Sequence, residues 1–159
     1  MEQTVNYLEM LSDSLDKKIV ILSELSRLTA LQKELASADS FDADEFSGIV
    51  ERKGSLIDEL ERLDNGFSLL YNNVKEQLDN NKAEYAEQIK LIQGKISRIL
   101  DDNAALTVAE ESNKKLIESR FASLRKEIHQ VRKSRSTAAN YYKTMNNITD
   151  ESYFLDSKK

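Results

Sequence analysis

Apolar residues recur at steps of three and four from near the start of the chain. Leu8, Leu11, Leu15, Ile19, Leu22, Leu25, Leu28, Leu31 and Leu35 fall on one stripe, with Glu9, Asp13, Asp16 and Lys17 largely off it. This spacing predicts an amphipathic helix over 4–37. The stripe is wider than a two-position seam, which favours packing among several helices over a simple two-stranded coiled coil. Residues 38–42 interrupt it. Asp42 has the short acceptor side chain of an N-cap, with Glu45 three residues later, and Phe41 and Phe46 are spaced for a hydrophobic staple. A second helix is predicted over 43–78, on Phe46, Ile49, Val50, Leu56, Ile57, Leu60, Leu63, Phe67, Leu70, Tyr71, Val74 and Leu78. Gly48, Gly54 and Gly66 lie inside it, each costing about 1 kcal/mol relative to Ala. Close helix approach and a local weak spot both account for them.

Asp79 to Lys82 is a polar turn. A third pattern follows on Tyr85, Ile89, Ile92, Ile96, Ile99, Asn103 and Leu106, weakens at Glu110 to Asn113, and resumes on Ile117, Phe121, Leu124, Ile128, Val131, Ala138 and Tyr142. Neither Pro nor Gly occurs after Gly94, and Glu110→Lys114 and Glu111→Lys115 are favourable i,i+4 pairs across the weak stretch. The expectation is one helix over 83–145, on the order of 90 Å long. The competing reading breaks it near Asp101-Asp102-Asn103, with Thr107 and Glu110 capping a fourth helix. Residues 146–159 are polar apart from Ile148 and Tyr153-Phe154-Leu155, and are expected to be flexible when unbound. The fold class is therefore all-α: an antiparallel bundle of about three long helices, the third the longest, over 1–145, with a tail over 146–159.

Composition narrows the chemistry. The 159 residues include no Pro and only four Gly, too little punctuation for an all-β or α/β fold. There is no Cys, which removes disulfides and thiolate metal sites and suits a reducing cytoplasm. No long uncharged apolar run and no leader pattern is seen, so a cytoplasmic protein without membrane insertion is expected. His129 is the only histidine, a poor basis for a metal site that needs three or four ligands. Gly48 and Gly54 have the gap of a phosphate loop, but Ser55 follows with no Lys between. No nucleophile–base arrangement can be assembled, and neither a catalytic residue nor a cofactor is assigned.

Charge is uneven. Net charge is −5, yet residues 1–80 hold 17 acids and 8 bases, while 114–143 hold 9 bases and 2 acids. Two helices of about 50 Å hide only part of a longer third one. The end of the third helix is then expected to carry Ile117, Phe121, Leu124, Ile128 and Val131 as an uncovered apolar stripe, flanked by Arg125 and Arg132. An acidic amphipathic helix fits such a stripe, with the rim cations steering it. A second copy of the chain is the alternative occupant, giving a structural coiled-coil protein that dimerises through its carboxy-terminal helix. Nucleic acid is disfavoured by the acidic total and by the lack of aromatics other than Phe121 among the bases of 120–135.

Four segments carry a family resemblance. The run from Lys53 through Leu56, Ile57, Leu60, Leu63, Asp64, Phe67, Leu70 and Tyr71 resembles the second-helix signature of the FlgN-type flagellar export chaperones. Ile96, Ile99 and Asn103 resemble its long-helix motif. Leu124-Arg125-Lys126-Glu127-Ile128, with Val131-Arg132-Lys133-Ser134-Arg135 and Tyr141-Tyr142, is similar to its basic carboxy-terminal helix, and the closing residues 153–159 to the ending of many members. The resemblance implies a chaperone that binds hook–filament junction proteins through the carboxy-terminal helix, monomeric or at most a weak homodimer. It implies delivery to the export gate or export ATPase complex, with Tyr141 or Tyr142 docking on the gate.

Overall fold

The computed structural model describes residues 2–124, and they form three α-helices and no strand: α1 (Glu2–Ser37), α2 (Ala43–Asn80) and α3 (Ala86–Ser123). The start of α2 follows the sequence closely. Asp42 is extended (φ −92°, ψ 96°), and its carboxylate accepts from the Glu45 amide at 3.0 Å. The Phe41 and Phe46 rings meet at 5.4 Å, closing the staple that fixes the angle at which the chain enters α2. The second turn sits slightly later than expected. Asn81 ends α2 with its backbone N–H on Leu78 O and its side-chain amide on Gln77 O. Its own carbonyl accepts from Glu84 and Tyr85. These bonds hold residues 81–85 as turns, and Tyr85 already belongs to the core.

The third helix is unbroken across Asp101-Asp102-Asn103. Thr107 does not cap a new helix: its hydroxyl donates to Asn103 O at 2.8 Å, one turn back, a bond made inside a continuous helix. Within the described residues α3 is 38 residues long, the same as α2. The expected continuation to Met145, and the tail over 146–159, lie outside them.

α1 is the shared element, and both other helices pack on it. Its buried positions Leu8, Leu11, Leu15, Lys18, Leu22, Leu25, Thr29, Gln32 and Ala36 step by three and four without a break, and Ile21 and Leu28 are buried beside them. That second line is the extra width of the stripe, and it lets one helix face two neighbours. Side-chain bonds from α3 to α1 and the turn after it join residues 79 to 84 apart in sequence, from Ser12–Lys95 and Asp16–Lys95 to Asn113–Thr29 and Arg120–Asp39. The two helices therefore run parallel in one register. α2 runs antiparallel to both, pairing Asp64 with Lys18 and Lys53 with Gln32.

The glycines of α2 are not close-approach sites. A Cβ placed on Gly48, Gly54 or Gly66 would meet nothing within 4 Å, and none has positive φ. They are weak spots in the helix. Replacing all three by Ala should stabilise the protein by about 2–3 kcal/mol through reduced unfolded-state entropy. A urea midpoint that stays put or falls in Gly48→Ala/Gly54→Ala/Gly66→Ala would contradict this.

Candidate functional site

The core comes in two parts. The larger spans Leu8 to Leu25 on α1, Ile57 to Leu78 on α2, and Ile92 to Leu106 on α3, with Tyr85. The smaller gathers Ala36, Phe46, Val50, Ile117 and Phe121, with Leu35, Phe41 and Leu116 half-buried around it. Its centre is aromatic. Phe121 meets Phe46 edge-on at 5.5 Å and Phe41 at 6.1 Å with the rings nearly perpendicular, an arrangement favoured by the ring quadrupoles.

Ile117 and Phe121 were expected in an uncovered stripe, and the structure corrects this: each is only 3% exposed. The parallel register explains why. It brings the α1–α2 turn level with the end of α3, where an Arg120 Nη2 donates to Asp39 O at 3.1 Å and the guanidinium lies over the Phe41 ring. The first two helices thus reach as far as Phe121. Leu124 is half-buried at the rim. Arg125, Ile128, Val131, Arg132, Tyr141 and Tyr142 lie outside the described residues.

Between the two apolar clusters lies a polar layer that sequence reasoning did not find. Thr29 and Gln32 from α1, Lys53 from α2, and Glu110 and Asn113 from α3 are all buried. The Lys53 ammonium donates to Gln32 Oε1 and to Glu110 Oε1, both at 2.5 Å. Thr29 Oγ1 lies 2.6 Å from Glu110 Oε1 and 2.7 Å from Leu25 O, and its single hydrogen serves one of the two. Asn113 Nδ2 donates to Thr29 O at 2.7 Å. Glu110, read from sequence as a surface partner of Lys114 or as a cap, instead reaches across the bundle. The signal was present. Lys53 occupies the core slot between Val50 and Ile57, and the pattern of α3 weakens at 110–113 because polar residues hold its core slots there.

Burial pushes the Lys53 amine down to about 8, partly countered by the Glu110 carboxylate beside it. A second ion pair joins buried Lys18 to half-buried Asp64 at 2.7 Å, alongside the larger cluster. Among the described residues no group of three His, Asp or Glu side chains is arranged to hold a metal, and no helix is long and apolar enough to cross a membrane.

Two outcomes follow from the layer. Lys53→Met leaves a buried carboxylate without its cation and should cost about 3–5 kcal/mol, whereas Lys53→Met/Glu110→Leu should recover most of it. Equal loss in the single and double variants, by urea denaturation, would rule this out. The second concerns pH. Below pH 8 Lys53 is charged in both states, so the cost of burying the charge is borne in full. Between about 8 and 10.5 the unfolded chain holds this proton and the folded chain does not; the neutral amine still donates to Gln32 and Glu110, as Met cannot, so stability rises with pH across that window. Relative to the double variant, the wild type should gain about 3 kcal/mol from pH 7.5 to 10.5; a flat or falling difference would refute the assignment.

The comparisons with known proteins agree with this architecture. The family model described as FlgN protein matches residues 1–147. No curated protein and no solved structure matches the chain. A match across nearly all of an all-α chain, covering each of the three helices just described, places this protein in the FlgN family.

Proposed function

We propose that the chain is a flagellar type III export chaperone that holds an amphipathic carboxy-terminal helix of hook–filament junction proteins and delivers them to the export gate or its ATPase complex. The observation that carries this reading is the family match over residues 1–147. The burial of Ile117 and Phe121 supports a seat that begins beyond them. Ile117 and Phe121 are committed to the chain's own core, so the cargo-facing stripe starts at Leu124, half-buried where α3 leaves the hairpin. Beyond it the sequence places Ile128 and Val131 at helical spacing, with Arg125 and Arg132 one heptad apart. Apolar contact along that line supplies affinity, and the cations orient an acidic partner helix. Tyr141 or Tyr142 is the proposed contact with the gate.

Calorimetric titration with a peptide from the carboxy-terminal helix of a junction protein tests the seat. Leu124→Asp and Ile128→Asp should each weaken binding at least tenfold, about 1.4 kcal/mol, with thermal stability nearly intact. Phe121→Asp should instead lower the melting temperature sharply, because it puts a charge into the smaller core. Wild-type affinity in both Leu124→Asp and Ile128→Asp would remove the proposed seat. Sedimentation of the free chain as a dimer, with no peptide binding, would favour the dimerising reading.

A further inference from the structure

We propose that the end of α3, from Glu110 to Leu124, is a latch that lifts from the α1–α2 hairpin as one unit, hinging at the buried polar layer. The boundary is set by where the apolar core stops. On α3 the larger cluster ends at Leu106 and the smaller begins at Ile117, with Glu110 and Asn113 between. Lifting α3 as far as Glu110 gives up the contacts of Ile117 and Phe121. At the layer itself, Lys53, Gln32 and Glu110 exchange their mutual bonds for water, and a buried ion pair is worth little net against its hydrated state. Going further exposes Leu106 and Ile99, which have no such compensation. Opening therefore has a natural stopping point.

The hairpin that would be left behind is tied together. α1 and α2 are joined covalently through 38–42, and the Asp42 cap and Phe41–Phe46 staple lie within it. Among the described residues the end of α3 has no such link, and it holds the turn through Arg120, on Asp39 O and the Phe41 face, and through the edge contact of Phe121 with Phe41. These are contacts that water replaces easily. With the latch open, Ile117 and Phe121 extend by two core positions the apolar line that starts at Leu124. The latch is a property of the bundle and stands whatever the cargo is.

Native-state hydrogen exchange on the full chain tests it. Amides of 114–123 should be protected at least a hundredfold less than those of 92–106, with a step at 110–113 and weak denaturant dependence. Gln32→Leu/Lys53→Met/Glu110→Leu makes the core continuous and should shrink that difference below tenfold. Phe46→Leu should speed exchange in both segments about tenfold, since global unfolding also breaks its contacts, whereas Ile99→Val, whose contacts survive the opening, should speed exchange in 92–106 and leave 114–123 unchanged. Equal protection of the two segments in the wild type would overturn the proposal. So would a smooth decline from Ser123 inward, which is ordinary end fraying, or an equal effect of Ile99→Val on both segments.

Discussion

The structure depends on one helix satisfying two neighbours at once. α1 offers an unbroken three-and-four seam, and the added line of Ile21 and Leu28 gives it a second face. Both α2 and α3 settle on it, whereas the backbones of α2 and α3 barely approach each other. Side chains span that wider gap: the ion pair of Lys53 and Glu110, and the rings of Phe46 and Phe121. Long or large residues at these places are therefore a geometric requirement of the bundle. A short side chain there would leave a void, since protein cores tolerate few of them.

The polar layer works against raw stability and in favour of uniqueness. Three helices with similar apolar heptads could slide by seven residues with modest loss of burial. A slip would move Lys53 away from Gln32 and Glu110 and strand a buried charge among Leu and Ile. The penalty for an unpaired buried charge is several kcal/mol, far larger than the gain from the pair itself. The Lys18–Asp64 pair adds a second such constraint further along α1 and α2. Matching two polar slots fixes the register that apolar periodicity leaves open.

Much of the fold was legible in the sequence because its signals are local. The Asp42 cap, the Phe41–Phe46 staple and the apolar periods depend on neighbours within one or two turns, and each is found where expected. The extent of cover over α3 was not legible. Helix lengths alone suggested that Ile117 and Phe121 protrude, but cover depends on the register between α1 and α3, which only the assembled layers define. The same limit hid the polar layer. Glu110 looked like a surface acid because its partner stands 57 positions earlier in the chain. Polar residues sitting on core slots in three separate helices were the available clue.

The parallel register of α1 and α3 also assigns the two ends of the rod different roles. The first residues of α1 lie beside the α2–α3 turn, and α3 exits beside the α1–α2 turn. At 1.5 Å per residue, these ends are about 50 Å apart. A chain anchored to a bead or sensor surface through its first residue would point the outlet of α3 away from the support. Leu124 would then stand one bundle length from the support, with α1 to α3 serving as a spacer.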